Sequence, residues 1–181
     1  MTSGQVPFQR GESAVAVPVP AAEPVVSAWR ARLDSSAAFG IPAHVTVVYP
    51  FLPAVRLSDA VLADLRVECA ATAPMDVAFN RTARFTGVLY LVPEPTAGLR
   101  ALTARFARRW PDAPPYGGRY DDVVPHLTVA EGPDSVLDAV EREVGPRLPV
   151  TATLEMAELY VFDGRRFRVR ERLPFGAPGG E

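Results

Sequence analysis

The chain of 181 residues contains no lysine, because all 19 of its basic residues are arginine. Lysine is required in the phosphate-binding P-loop, in Schiff-base catalysis and in the lysine–nucleotide adduct of ATP-dependent ligases. These three mechanisms are therefore excluded. The sequence also lacks the G-x-S-x-G and G-x-G-x-x-G motifs. Their absence argues against the serine-hydrolase elbow and the dinucleotide-binding turn.

Cysteine and histidine are also scarce, with one cysteine and two histidines in the whole sequence. A single cysteine cannot form a disulfide within the chain, so we expect a reducing compartment, the cytoplasm. Cys69 lies in a helical pattern and is expected to be a small buried apolar residue. Two histidines and one cysteine cannot complete a zinc site without carboxylates, and we predict neither a metal nor a cofactor.

Long apolar runs and a strong net charge are missing as well. No run approaches 18 apolar residues and no basic segment precedes one, so neither a membrane span nor a signal peptide is expected. The net charge of −2 and the pI of about 5.8 argue against broad electrostatic contact with long nucleic acid. A small anionic ligand that a few local cations hold remains compatible with this charge.

The apolar patterning predicts one α+β domain over residues 13–175, with flexible termini at 1–12 and 176–181. Period-2 and period-3.6 patterns alternate in the order strand–helix–strand–helix–strand, then helix–strand–helix–strand–strand. This is a weak internal repeat, and it predicts two similar lobes, each a sheet with helices on one face. In the second half, "VTATLEMAELYVF" (150–162) is expected to form one strand of a terminal hairpin that turns at Asp163–Gly164.

The first predicted helix shows which side chains should face the interior. In "AEPVVSAWRARLD" (22–34), we expect an inward stripe of apolar residues at helical spacing. The residues of this stripe are Val25, Val26, Trp29 and Leu33.

Both histidines occur in the same short pattern, each followed two residues later by threonine. "HVT" begins at His44 and "HLT" at His126, 82 residues later, each within an apolar strand pattern. Because strand side chains alternate, each histidine shares a face with its threonine while the apolar neighbours face the other way. With ten threonines in the chain, chance would give both histidines this neighbour in only about 0.3% of cases.

Two imidazoles on opposite sides of a substrate can divide proton transfer between a general base and a general acid near neutral pH. Threonine hydroxyls can donate hydrogen bonds to anionic oxygens that lie between them. A phosphodiester suits this arrangement, with His44 and His126 as the acid/base pair and Thr46 and Thr128 as phosphate binders. No metal or nucleotide cofactor is needed for such a step.

The motifs "HVTVVYPF" and "PHLTVAEG", each on a predicted strand and about 80 residues apart, resemble the paired signature of the two-histidine (2H) phosphoesterase superfamily. The match extends to the flanking residues of its 2′-5′ RNA ligase-like branch. The resemblance implies a bilobal fold of two antiparallel sheets, related by an approximate two-fold axis, with helices on the outer faces and a central cleft. It also implies that the histidines are catalytic and that a nucleotide or an RNA terminus is the substrate.

Several activities remain open within and beyond this resemblance. We predict a metal-independent phosphodiesterase that opens a 2′,3′-cyclic phosphate on a nucleotide or RNA end. The alternatives are 2′-5′ RNA ligase or 2′-5′ phosphodiesterase activity, and a non-catalytic nucleotide- or RNA-binding module. A metal-dependent oxygenase commonly shows H-x-D or H-x-E, whereas threonine stands at this position in both motifs. The sequence leaves open which histidine is the general base. It also leaves open the nucleobase specificity and the oligomeric state.

Four further residues are candidates for substrate binding. The Pro- and Gly-rich segment 111–122 precedes the second motif, and loops of this composition often carry function. Within it, Arg119 could meet phosphate charge, and Tyr116 and Tyr120 could stack on a base. Tyr90 is placed near the cleft because it shares a strand face with Thr86.

Overall fold

The computed structural model describes residues 7–120 and 122–176. Alternating apolar residues form the strands, which occur in both halves of the chain. Eight strands lie within the described residues: β1 (Ser13–Pro18), β2 (His44–Val48), β3 (Met75–Phe85), β4 (Val88–Glu94), β5 (Leu127–Glu131), β6 (Val150–Leu154), β7 (Met156–Phe162) and β8 (Phe167–Pro174).

Five α-helices lie in the same part of the chain, and none of the described helices is long and apolar enough to cross a membrane. Short 3₁₀ turns complete several connections. The helices are α1 (Glu23–Leu33), α2 (Ser35–Ala38), α3 (Asp59–Ala70), α4 (Ala97–Arg109) and α5 (Asp134–Val144).

The strands form two four-stranded antiparallel sheets, which confirms the predicted bilobal α+β architecture. The first sheet has the order β2-β1-β7-β8 and the second has the order β5-β4-β3-β6. Each histidine strand lies at the edge of its sheet, next to the strand that precedes it in the chain. The two sheets therefore correspond strand by strand, as an approximate two-fold relation requires.

One continuous apolar core joins the two lobes, because two helices cross from one lobe to the other. Helix α1 follows β1 of the first sheet but packs on β5 of the second, and α4 follows β4 but packs on β2. Helices α3 and α5 stay with their own sheets. The sheet faces that pack on the helices thus belong to a single cluster, while a smaller second cluster lies on the other face of the first sheet and consists of Ala16, Ile41, Tyr160, Phe162 and Phe167.

The expectation of a single strand over residues 150–162 was wrong. Strand β6 pairs with β3 in the second sheet, whereas β7 pairs with β1 and β8 in the first sheet. The phase of the alternation changes at Glu155: Val150 and Leu154 are buried before it, and Ala157 and Leu159 after it. A one-residue shift moves the side chains of a strand to the opposite face of the sheet. The segment therefore leaves the second sheet at Glu155 and continues in the first sheet, so that its apolar side chains are buried in both.

Two other local expectations also differ from the structure. In α1 the fully buried residues are Val26 and Arg30, while the other predicted apolar residues are only partly buried. The N-terminal segment, expected to be flexible, is packed from Phe8 onward, where aromatic contacts with Phe39 and Phe167 hold it against the first sheet. Residues 1–6 and 177–181 of the expected termini lie outside the described residues.

Candidate active site

The side chains of β2 divide between the core and the space between the lobes, as the alternation predicts. Val45 and Val47 are buried in the core, whereas His44 and Thr46 are half-buried on the opposite face. His44 lies beside Pro18 of the neighbouring strand in the antiparallel register. The imidazole and the hydroxyl are therefore presented on one face of the first sheet.

Strand β5 repeats this arrangement at the edge of the second sheet. Leu127 and Val129 are fully buried, and Thr128 is half-buried on the other face, opposite Tyr90 of β4. His126 lies one residue before the strand and is also half-buried. The two motifs thus place the same pair of side chains at the equivalent edge of each sheet.

The structure brings these two edges together. Strand β2 contacts β5 directly across the lobes, and the charge of His126 acts on His44 closely enough to lower the pKa of His44. Tyr116 links the two motifs, because its ring stacks 6.4 Å from that of His126 and its hydroxyl lies within reach of the Thr46 side chain. Both histidines therefore lie where the two lobes meet.

The two imidazoles are held in the same way by the backbone two residues before each. Nδ1 of His44 lies 2.7 Å from the carbonyl oxygen of Pro42, and Nδ1 of His126 lies 2.8 Å from that of Val124. A carbonyl oxygen only accepts hydrogen bonds, so each Nδ1 carries a hydrogen and donates it. Each neutral ring consequently has its lone pair on Nε2, where it can accept or, once protonated, deliver a proton.

The electrostatic surroundings of the two rings differ. Burial, with the nearby Arg30 guanidinium, lowers the pKa of His44 to about 4, although its bond to Pro42 and the charge of Asp34 act in the opposite direction. Burial also lowers the pKa of His126, where the bond to Val124 opposes the shift and no cation is involved. In the absence of a ligand both rings are therefore neutral at pH 7.

Arg30, which the sequence analysis did not single out, is buried and bonds the backbone at or near both histidine motifs. Its side chain is 3% exposed and forms an ion pair with Asp34 at 2.8 Å. Its Nε donates to the carbonyl of Thr128 at 3.1 Å, and its terminal nitrogens donate to the carbonyl of Ile41 at 3.4 Å. The signal in the sequence was an arginine one turn after Val26, on the buried side of the helix and four residues before an aspartate.

Among the described residues, aromatic rings surround His126 but not His44. The rings of Phe85 and Tyr90 lie 5.1 Å and 5.4 Å from the His126 ring, and they stack on each other at 4.3 Å. Phe85 is 39% exposed at the end of its strand. Tyr116 has a positive φ of 53°, a backbone conformation that non-glycine residues seldom adopt outside functional or tightly constrained sites.

The four residues predicted to bind substrate have different locations. Tyr90 and Tyr116 lie beside His126, and Tyr120 contacts Tyr116 with ring centres 5.9 Å apart. Tyr120 is 63% exposed. Arg119 is exposed and forms no ion pair with the described residues, so its assignment to the phosphate stays a prediction.

Metal-binding groups were sought among the same residues. Within 7–120 and 122–176, no three histidine, cysteine, aspartate or glutamate side chains are grouped so that they could hold a metal ion.

Comparison with solved structures defines the class of fold. LigT of E. coli in complex with 3′-AMP superposes with a TM-score of 0.58 at 16% identity, covering 92% of this chain and 99% of LigT. The NADP+ complex of LigT gives 0.56 at 15% identity, covering 93% and 99%. TT0787 of Thermus thermophilus gives 0.54 at 19% identity, covering 93% and 100%. These similarities establish a shared two-lobed fold.

The sequence itself establishes the family. The sequence model of the 2′-5′ RNA ligase superfamily matches residues 17–166, which include both histidine motifs. No curated protein matches the chain with significance. The chain belongs to the 2′-5′ RNA ligase superfamily, the two-histidine phosphoesterases, and its fold is that of enzymes that act on phosphodiester bonds.

Proposed function

We propose that the protein is a metal-independent phosphodiesterase that opens a 2′,3′-cyclic phosphate on a nucleotide or an RNA end. The observation that carries this proposal is the pair of imidazoles where the two lobes meet, each bonded to the backbone through Nδ1 and each beside a threonine on the same strand face. The E. coli relative in complex with 3′-AMP supports a nucleotide as ligand. A separate proton carrier for each of the two oxygens makes a metal unnecessary to the step.

We base the assignment of acid and base on the different surroundings of the two rings. His44, next to the buried cation Arg30, has the lower affinity for a proton and acts as the general base. It takes a proton from water as the water oxygen forms a bond to phosphorus. His126, whose aromatic neighbours favour a cation, protonates the ribose oxygen as its bond to phosphorus breaks. Thr46 and Thr128 donate hydrogen bonds to the non-bridging oxygens, where negative charge increases.

The same site supports a second reaction, which the family match favours. If an RNA 5′-hydroxyl replaces water as the nucleophile, attack on the cyclic phosphate yields a 2′-5′ linkage and needs no adenylate. The reverse reaction cleaves such a linkage. The histidines exchange their roles between the two directions.

The direct test is a substrate panel in EDTA with 2′,3′-cyclic nucleotides, analysed for the position of the product phosphate. We expect turnover that is unaffected by EDTA and gives a single regioisomer. Activity that EDTA abolishes would contradict metal independence. Tight binding of the nucleotides without turnover would instead favour the non-catalytic module.

The pH dependence of kcat/KM should show an optimum below pH 6.5. This parameter reports the free enzyme, in which both histidines have pKa values below 6.5 and one of them must be protonated. The activity should therefore fall as the pH rises above the lowered pKa of the acid, and fall again toward pH 4, where His44 gains a proton. Initial rates measured from pH 4 to 8.5 test this profile.

Acid unfolding needs a control in this experiment. Both histidines bind protons more weakly in the folded chain than in the unfolded chain, so their contribution lowers stability as the pH falls below 6.5. Circular dichroism at each pH separates unfolding from titration of the site. A plateau of kcat/KM from pH 6 to 8.5 would contradict the lowered pKa values.

Tyr120 provides a test of base stacking. Replacing Tyr120 by alanine should raise KM about 5- to 150-fold, since stacking contributes roughly 1–3 kcal/mol per base. Tyr120→Phe keeps the ring and should retain a KM within about twofold of the wild-type value. An equal rise in KM in both variants would assign the role of Tyr120 to its hydroxyl group.

A further inference from the structure

A groove rich in arginine lies on the face of the first sheet that carries His44. It encloses about 450 Å³ and extends from the segment next to His44 toward the edge strand β8. Tyr160 and Glu158 of β7 lie among its lining residues, and Pro18 and Pro42 border it on the histidine side. We call it the arginine groove after three of its lining residues, Arg166, Arg168 and Arg172.

A register shift between β7 and β8 determines which charge reaches this face. Beyond the shift, Glu158 pairs with Arg172 and Leu159 with Glu171. Without it, the regular alternation would set Glu171 opposite Glu158 on the groove side. Glu171 instead faces α3, where it forms an ion pair with Arg66 at 2.8 Å. The shift thus exchanges a carboxylate for a guanidinium in the groove, in the way that bulges re-aim side chains near functional sites.

The charge in the groove is positive even though two of the arginines have partners. Arg172 donates to Glu158 at 3.2 Å but its side chain is 70% exposed, and Arg168 pairs with Asp163 while 63% exposed. Arg166 forms no ion pair with the described residues. Glu158 also accepts from the buried Tyr160 hydroxyl, which fixes the carboxylate that holds Arg172.

Most of the arginine groove lies away from the histidine strand. Strand β8 is three strands away from β2 in the first sheet, or about 14 Å between strand backbones at the usual spacing, and the Arg172 guanidinium reaches back by one strand to Glu158 of β7. This separation favours two different phosphates, one at the histidines and one in the groove. The cations of the groove are arginines, and guanidinium groups with two parallel donors suit phosphate oxygens.

We propose that the arginine groove binds a second phosphate of the substrate, an internal phosphodiester of an RNA oligonucleotide whose cyclic end lies between the histidines. This proposal rests on the proposed function and narrows its substrate class to oligonucleotide ends. The proposal is also compatible with the acidic pI of the protein. A short RNA end can be bound by a few local cations, and a basic domain is not needed.

The test compares three cyclic substrates across variants. They are 2′,3′-cyclic AMP, the same nucleotide with a 5′-phosphate, and a tri-adenylate with a 5′-hydroxyl and a 2′,3′-cyclic end. The variants are Arg166→Gln, Arg172→Gln and the double variant, with Arg142→Gln as a matched control on the exposed face of α5. We expect the double variant to lose about tenfold or more in kcat/KM for the tri-adenylate. Its activity on 2′,3′-cyclic AMP should stay within about twofold of wild type.

Loss of activity on all three substrates, or on none, would overturn the proposal. Loss confined to the 5′-phosphorylated mononucleotide would assign the groove to the phosphate of a small molecule and overturn the oligonucleotide assignment. The Arg142→Gln variant should match wild type on every substrate.

Binding measurements separate this proposal from the proposed function. Fluorescence anisotropy with a labelled tri-adenylate 3′-phosphate should show weaker affinity for the double variant and a salt slope smaller by roughly 0.7 per lost phosphate contact. If the wild type turns over none of the cyclic substrates, the proposed function fails, and anisotropy alone then decides on the groove. Unchanged affinity and slope in the double variant would overturn it.

Discussion

Replacing His44 or His126 by alanine is expected to lower kcat for 2′,3′-cyclic nucleotides at least about 100-fold, because each variant removes one of the two proton carriers. The backbone around both residues should be preserved, since within residues 7–120 and 122–176 each ring bonds only a carbonyl two residues before it. The measurement is the steady-state rate in EDTA. Circular dichroism and the denaturation midpoint establish that the variants are folded.

A substrate with a good leaving group distinguishes the two histidines. In a nucleoside phosphodiester that releases 4-nitrophenolate, the leaving oxygen needs no proton. His126→Ala should therefore recover most of its lost rate on this substrate, whereas His44→Ala should not. Recovery in the His44 variant alone would reverse the assignment of acid and base. Wild-type rates in both variants on the cyclic substrate would contradict the mechanism altogether.

Replacing Arg30 by methionine is expected to lower the free energy of unfolding by about 3–5 kcal/mol, because it leaves the buried Asp34 carboxylate without its partner. The carbonyls of Thr128 and Ile41 also lose a donor. Urea denaturation measures the loss. Arg32→Met is the matched control, since Arg32 is exposed on the same helix and lies over the Trp29 ring; it should cost about 1 kcal/mol or less.

The ion pair and the site can be tested separately through Arg30. The double variant Arg30→Met/Asp34→Leu removes both charges and should recover part of the stability lost in the single variant. In that background, His44 loses both the cation that lowers its pKa and the smaller opposing effect of the Asp34 charge, so the acidic limb of the kcat/KM profile should move to higher pH. An unchanged limb would show that the effects of Arg30 and Asp34 on His44 cancel.

The sequence by itself was sufficient to identify the two motifs and the faces they occupy. Period-2 alternation is a local property of the chain, so the burial of Val45 and Leu127 and the exposure of the histidine faces followed from residue order. The weak internal repeat of apolar patterns was also sufficient to predict two similar sheets. Tyr90 and Tyr116 both contact His126, and their role in substrate binding stays a prediction.

Arg30 shows why part of the site was not predictable. On a helix surface an arginine is usually solvated, and nothing in its local sequence shows that α1 leaves its own sheet to pack on β5. The partners of Arg30 are 98 residues away at Thr128 and 11 residues away at Ile41. Such a bond depends on how the lobes are assembled, which a local pattern cannot specify.

The absence of lysine and the scarcity of cysteine and histidine limited the catalytic mechanisms that this sequence can support. Residue composition is sufficient for this conclusion, because side-chain chemistry is a property of single residues. The alternation of the sequence determined the faces of the strands. Only the tertiary structure decided that residues 150–162 divide between two sheets and that a register shift turns Arg172 toward the His44 face. The physical reason is that pairing register and helix packing minimise the exposure of apolar surface over the whole chain, and many distant residues contribute to that sum.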